Sequence, residues 1–129
     1  MAETERRVAR KATHLPPEAT SIPAARHFAV DALTELGGGP RDEIELLVSE
    51  LTTNAIVHAR TPLLLTMCRK GTRVRVEVMD DDPTPPRVNL RPDPLRPGGR
   101  GMCLVNALAA DWGVNVNDHG KTVWFEVAA

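Results

Sequence analysis

The segment from Pro83 to Pro97 constrains the fold more than any other feature, because six of its fifteen residues are prolines. Proline fixes φ and has no backbone N–H, so this density excludes both a helix and a central β-strand. A loop this long in a small domain usually has a function. The regular structure must therefore lie on either side of this loop.

Apolar spacing predicts two helices before the loop. The first runs from Ser21, its N-cap, to the stop at Gly37, with apolar side chains three and four residues apart. The second runs from Asp42 to about Ala59. Strands are predicted over residues 8–15, 63–68 and 72–80, and the last two form a hairpin. Valines alternate with charged residues in the strand over 72–80, so we expect helices on one face of the sheet only.

The pattern after the loop predicts one more helix and a second hairpin. Val105, Leu108, Ala109 and Trp112 have helical spacing, and strands are predicted over 114–116 and 122–127. This order of elements predicts an α+β fold. We expect a two-layer sandwich, in which helices cover one face of a mixed, mostly antiparallel sheet.

Composition argues against several function classes. The 16 Lys and Arg residues against 17 Asp and Glu give a net charge of -1, and aromatic residues total 3%. Neither the small net charge nor the low aromatic content favours binding to nucleic acid or to an anionic membrane. Cys68 and Cys103 have no CxxC partner, which argues against a zinc site or a disulfide framework. With no apolar run near the roughly 20 residues of a membrane span and no signal peptide, we expect a soluble cytoplasmic protein.

Three polar residues of the second predicted helix lie one turn apart. Glu50 and Asn54 share a face, and His58 continues the row. A carboxylate beside a carboxamide can activate a hydroxyl group and offer an oxygen to a hard cation such as Mg²⁺. An ordinary solvated helix face is the alternative interpretation. Because histidine in such a position more often caps or packs, we assign His58 no catalytic role.

Asp80 ends a predicted strand and begins a run of three aspartates. Three neighbouring carboxylates repel one another, so one of them should meet a donor or a cation. A buried carboxylate at a strand end can accept a hydrogen bond from the exocyclic amine of adenine, where guanine has a carbonyl group. The alternative is a turn initiated before Pro83.

The run Gly98-Gly99-Arg100-Gly101 precedes the last predicted helix. Glycines let backbone N–H groups approach a phosphate, which a helix N-terminus and an arginine also favour. The run is not a P-loop, because no Lys-Ser/Thr follows it. Ordinary loop glycines are the alternative interpretation.

In this order, the motifs resemble the ATP-binding domain shared by DNA gyrase, sensor histidine kinases and mismatch-repair ATPases, called the GHKL or Bergerat fold. The segment from Glu50 to Ala59 is similar to the N-box of that family, Asp80 falls at its first glycine box, and the segment from Gly99 to Leu104 falls at its second. The resemblance covers nearly the whole chain. It implies a single ATP-binding domain over residues 1–129, with a Pro-rich lid over residues 82–98.

Within that superfamily, the small size and the runs Ser49-Glu50-Leu51 and Gly101-Met102 most resemble the bacterial anti-sigma factor serine/threonine kinases. The resemblance implies that the protein uses ATP and Mg²⁺ to phosphorylate a serine on an anti-anti-sigma protein with a STAS domain. It also implies that the protein sequesters a sigma factor and can form a homodimer. No direct contact with nucleic acid or membrane is expected.

The resemblance also implies roles for individual residues. Glu50 is expected to be the catalytic acid/base that orients the acceptor hydroxyl, and Asn54 to hold Mg²⁺ against the phosphates. Asp80 is expected to bind the adenine amine, supported by Thr122 from the last strand. The residues expected around the phosphates are Gly99, Arg100, Gly101 and Met102.

Two positions depart from the family pattern. Asp82 stands where the first glycine box has a glycine, and Cys103 replaces the third glycine of the second box. These departures motivate an alternative hypothesis, a non-catalytic module that binds a regulatory partner with weak or no nucleotide binding. A third hypothesis, the catalytic domain of a sensor histidine kinase, is disfavoured because no dimerising helix with an acceptor histidine precedes the domain.

Overall fold

The computed structural model describes residues 9–86 and 101–129 of the chain. Along the sequence, one strand is followed by two helices, a hairpin, a third helix and a second hairpin. The strands are β1 (Arg10–Leu15), β2 (Leu63–Lys70), β3 (Arg73–Asp80), β4 (Asp111–Val116) and β5 (Lys121–Ala128). The helices are α1 (Ser21–Glu35), α2 (Arg41–Asn54) and α3 (Gly101–Leu108), and α2 continues into a π-helical turn over Ala55–Ala59.

The five strands form one sheet in the order β1-β2-β3-β5-β4. Each pair of neighbours is antiparallel, whereas the sequence predicted a mixed, mostly antiparallel sheet. The predicted α+β architecture is confirmed, and the predicted elements fall within the described residues except for residue 8 of the first strand and the Pro-rich loop. That loop lies outside them from residue 87 onward.

The core lies between the helices and one face of the sheet. Val74, Val76 and Val78 are buried, as the alternation in β3 predicted, and Val76 is paired with the fully buried Phe125 of β5. Each large apolar side chain buried in this way contributes about 1.5–3 kcal/mol to folding. The helices contribute the other side of the same cluster, which includes Ala25, Leu33, Leu47, Val48 and Val105.

Three helix ends show how local signals compare with the structure. Gly37 has a φ of 101° and follows α1, so the predicted glycine stop is confirmed. Ser21 is the first residue of α1 and not its N-cap, because its hydroxyl donates a hydrogen bond to the carbonyl oxygen of Pro16 at 2.6 Å. Trp112, predicted as helical, lies in β4 and pairs with Phe125. Its helical spacing arose because β4 and α3 contact the same core.

None of the described helices is both long and apolar enough to cross a membrane.

The sheet face that lacks helices carries a charged cluster around Glu126. This carboxylate is 11% exposed and accepts hydrogen bonds from Arg75 at 2.9 Å and from Arg73 at 3.3 Å. The Nζ of Lys70 is 3.7 Å away, and the Arg75 guanidinium lies 4.0 Å from the ring centroid of Trp124. Burial raises the pKa of Glu126, but the two hydrogen bonds and the nearby positive charges outweigh it, so the pKa lies below its ordinary 4.5.

Replacing Glu126 with glutamine is expected to lower the free energy of unfolding by about 1–3 kcal/mol near neutral pH, since the negative charge is lost and one oxygen acceptor becomes an NH2 donor. The pKa of Glu126 is lower in the folded state than in the unfolded state. Its stabilisation is therefore complete above the ordinary pKa of 4.5 and is lost as the pH falls through the folded-state value. Urea titrations at about pH 7 and about pH 3 measure the effect, and the difference should shrink at the lower pH.

The matched control for this experiment is Glu45→Gln. Glu45 pairs with Arg41 one turn away on the exposed surface of α2, so its loss should cost about 0.5 kcal/mol or less. If Glu126→Gln lowered the free energy of unfolding by the same amount at both pH values, this would contradict an electrostatic role for the cluster.

Candidate functional site

The end of α2 and the end of β3 lie at the same end of the molecule. A short link joins the π-helical turn to Leu63, the first residue of β2, and Leu63 is paired with Asp80. The N–H of Asp81 donates a hydrogen bond to Thr61 Oγ1 in that link at 3.0 Å. Asn54, which ends α2, and Asp80, which ends β3, are therefore positioned by neighbouring segments.

Glu50 and Asn54 lie one turn apart on α2, which places them on the same side of the helix. Glu50 is buried, with 9% of its surface exposed, and Asn54 is half-buried. These burials do not fit the alternative of a solvated helix face. His58 lies in the π-helical turn and is exposed. Turns of this kind occur frequently at functional sites.

The side-chain oxygen of Asn54 is buried and has no hydrogen-bond partner among the described residues. Leaving a buried acceptor unsatisfied costs about 1–3 kcal/mol, so an unpaired amide oxygen here suggests a ligand. Amide oxygens are suitable ligands for Mg²⁺, so the residue fits this ion. The described residues contain no cluster of three His, Cys, Asp or Glu side chains that could hold a metal. A cation at Asn54 would therefore depend on ligands from a phosphate group and water.

Asp80 meets a cation, as expected for one member of the aspartate run. Its side chain is 3% exposed, and the Nζ of Lys121 lies 3.0 Å from Oδ2 and 3.1 Å from Oδ1. Oδ1 also accepts a hydrogen bond from the N–H of Asp82 at 2.9 Å, and Lys121 Nζ donates to the carbonyl oxygen of Asp82 at 3.0 Å. The carboxylate is therefore fixed by both a charge and a turn.

Asp82, which replaces a glycine of the family pattern, is engaged with the following turn. Its Oδ1 accepts a hydrogen bond from the N–H of Thr84 at 2.9 Å. Bonding to Thr84 lowers the pKa of Asp82. The Asp82 carboxylate is therefore held by a backbone N–H of the following turn.

The structure does not bring Thr122 to Asp80. The register of β3 and β5 pairs Asp80 with Lys121 and Met79 with Thr122, and successive residues of a strand face opposite sides of the sheet. Lys121 takes the position predicted for Thr122. Lys121 was not predicted as a site residue, although counting back two residues from the core residue Val123 places it on the inner face.

Gly120 allows β5 to begin directly against the end of β3. A Cβ at this position would overlap the carbonyl oxygen of Asp80 and would lie 3.1 Å from the Cα of Asp81. Both neighbours are backbone atoms, which cannot move without shifting the strand. Only glycine fits there, and this close approach positions Lys121 beside Asp80.

Helix α3 begins at Gly101 and packs against α2. Met102 is 4% exposed and belongs to the same core cluster as Ala55. Its side chain is therefore unavailable to a phosphate, whereas the backbone N–H groups of the first turn of α3 could bind one. The other two residues predicted around the phosphates, Gly99 and Arg100, lie outside the described residues.

Comparison with known proteins gives a match over most of the chain. The family pattern of the histidine kinase-like ATPase domain matches residues 15–127. A similar solved structure is the histidine kinase domain from the Erythrobacter litoralis EL346 blue-light activated histidine kinase, with a TM-score of 0.52 and 23% sequence identity. The alignment covers 88% of this chain and 61% of that one, so at this identity it supports a shared fold only. No curated protein matches the chain.

Proposed function

The chain belongs to the histidine kinase-like ATPase domain family, and from this premise we propose that it is an ATP- and Mg²⁺-dependent anti-sigma regulatory factor. In this proposal it phosphorylates a serine on an anti-anti-sigma protein with a STAS domain and sequesters a sigma factor. The observation that carries the proposal is the position of Asn54, with its unpaired buried oxygen, at the end of the molecule where Asp80 is fixed by Lys121.

Asp80 supports binding of the adenine ring. Its carboxylate is buried and forms an ion pair with Lys121, and a carboxylate accepts hydrogen bonds but does not donate them. The exocyclic amine of adenine is a donor, whereas guanine has a carbonyl oxygen at the same place. The site therefore favours an adenine nucleotide.

Asn54 and the start of α3 support binding of the phosphates. The Asn54 side-chain oxygen would be the protein ligand of Mg²⁺, which neutralises charge on the phosphates when it is bound with ATP. Backbone N–H groups at Gly101 and Met102 would face phosphate oxygens, since the first turn of a helix leaves these donors without intrahelical acceptors. Gly99 and Arg100 stay predictions for the same role.

Glu50 is the proposed catalytic residue. In the transfer step the serine oxygen of the partner bonds to the γ-phosphorus, the bond from that phosphorus to the ADP oxygen breaks, and Glu50 takes the serine proton. The carboxylate lies one helical turn from Asn54, close to where the phosphates would bind. Catalysis would depend mainly on positioning and charge neutralisation, as is general for phosphoryl transfer.

A non-catalytic partner-binding module is the second candidate. The observation that favours it is the 3% exposure of the Asp80 side chain, because a base must reach a carboxylate that Lys121 already covers. Asp82 and Cys103 at glycine positions of the family pattern point the same way.

A phosphorylation assay separates the two candidates. The purified protein is incubated with radiolabelled ATP, Mg²⁺ and an anti-anti-sigma protein from the same organism. We expect phosphoserine on the partner, lost when EDTA removes the cation. Two results together would support the non-catalytic module and overturn the kinase. The protein would bind the sigma factor equally with and without ATP, and calorimetry would detect no heat of ATP binding.

A further inference from the structure

We infer that Lys121 sets the base preference of this site by forming an ion pair with the carboxylate of Asp80 and fixing its orientation. The inference rests on the nucleotide-binding part of the proposed function and does not need the kinase activity. Lys121 acts through Asp80, so it is a positioning residue.

The contacts of Asp80 leave one oxygen for a ligand. Each carboxylate oxygen has two lone pairs. Oδ1 receives two donors, the N–H of Asp82 at 2.9 Å and the Lys121 ammonium at 3.1 Å. Oδ2 has the Lys121 ammonium at 3.0 Å, and one of its lone pairs stays available. The exocyclic amine of a base would therefore be received at Oδ2.

The contacts of Lys121 keep its ammonium away from the base itself. Its side chain is 8% exposed, and Nζ donates both to Asp80 and to the carbonyl oxygen of Asp82 at 3.0 Å. The ammonium donates hydrogen bonds to both of these acceptors. It cannot reach a guanine carbonyl without breaking those hydrogen bonds. Its effect on a base is therefore transmitted by the charge and orientation of Asp80.

The charge of Asp80 decides which purine is accepted. A carboxylate buried without a positive partner tends to take up a proton, because burial disfavours the charged form. The neutral acid can donate a hydrogen bond as well as accept one, so it can pair with the carbonyl oxygen of guanine. The ion pair with Lys121 favours the carboxylate form, which only accepts hydrogen bonds, and so favours the adenine amine over the guanine carbonyl.

The test compares the affinities of ADP and GDP, each with Mg²⁺, by calorimetry. The wild-type protein is expected to bind ADP at least about tenfold more tightly than GDP, and Lys121→Met is expected to bring the ratio close to one. Lys121→Arg keeps a positive partner for Asp80 and should restore the ratio. Lys70→Met is the matched control, because Lys70 pairs with Glu126 on the other face of the sheet, and it should keep the wild-type ratio.

Lys121→Met leaves a buried carboxylate without a partner and can unfold the protein. The double variant Asp80→Asn/Lys121→Met removes both charges, and an amide can present either a donor or an acceptor to the base. It should therefore also bind ADP and GDP about equally. Urea titration of every variant separates loss of selectivity from loss of folding.

Three results would overturn the inference. A wild-type ratio in the double variant, or equal losses of ADP and GDP affinity in Lys121→Met, would assign Lys121 a structural role only. A wild-type protein that binds neither nucleotide would overturn both this inference and nucleotide binding. Selective binding of ADP without phosphoryl transfer to a protein would overturn the kinase proposal alone.

Discussion

Replacing Glu50 with glutamine is expected to slow phosphoryl transfer to the anti-anti-sigma serine by about 10²–10⁴-fold, the usual contribution of a positioned general base. Glutamine keeps the shape of the side chain but cannot take the serine proton. ADP affinity should change by no more than about twofold, since the interaction is made in the transition state rather than with bound nucleotide. Single-turnover transfer measured beside ADP calorimetry separates the two effects.

The control for this variant lies on the same helix. Glu45→Gln removes a carboxylate from the surface of α2, where it pairs with Arg41, and should leave transfer unchanged. Wild-type transfer in Glu50→Gln would remove Glu50 from the mechanism. A Glu50→Gln variant that loses ADP binding as well would give Glu50 a role in the ground-state complex instead.

Replacing Gly120 with alanine is expected to destabilise the protein by about 3 kcal/mol or more. The added methyl group would overlap the carbonyl oxygen of Asp80, so the beginning of β5 must move away from the end of β3. That movement would also separate Lys121 from Asp80. Urea titration measures the loss, and ADP binding to the remaining folded fraction is expected to fall with it.

Gly71→Asn is the matched control for a glycine in a turn. Gly71 has a φ of 61° between β2 and β3, a Cβ there would meet no atom within 4 Å, and asparagine tolerates this conformation. We expect a cost of about 1 kcal/mol or less. If Gly120→Ala were as stable as Gly71→Asn, the close contact between β5 and Asp80 would not exist in solution.

The sequence was sufficient for the parts of the fold that follow from periodicity. The alternation in β3 identified its inner and outer faces, and the apolar spacing identified α1 and α2, because the buried face of each element repeats along the chain. The helical prediction for Trp112 was wrong, because this residue of β4 contacts the core at a spacing that also suits a helix. Periodicity reports which residues face the core and does not report how the backbone brings them there.

In the candidate site, too, local patterns were predictable from the sequence, whereas contacts between distant segments were not. Spacing on one helix made Glu50 and Asn54 candidates, and its place at a strand end made Asp80 one. Lys121 was missed because its contact with Asp80 depends on the pairing of strands that are distant in sequence. The π-helical turn after Asn54 has no local sequence signal, since it arises where α2 must join β2. The alternation in β5 places Lys121 on the inner face, but neither its pairing with Asp80 nor the π-helical turn follows from the neighbouring residues.

An ¹H–¹⁵N NMR titration of the protein with ATP and Mg²⁺ tests whether the segments containing Asn54, Asp80 and Met102 surround one nucleotide. We expect the backbone amides of these three residues to shift together with one dissociation constant. The side-chain amide of Asn54 should also shift, and only when Mg²⁺ is present. Shifts at Asp80 that leave Asn54 and Met102 unchanged, or no saturable shift at any of the three, would contradict the claim that these segments surround a single adenine nucleotide.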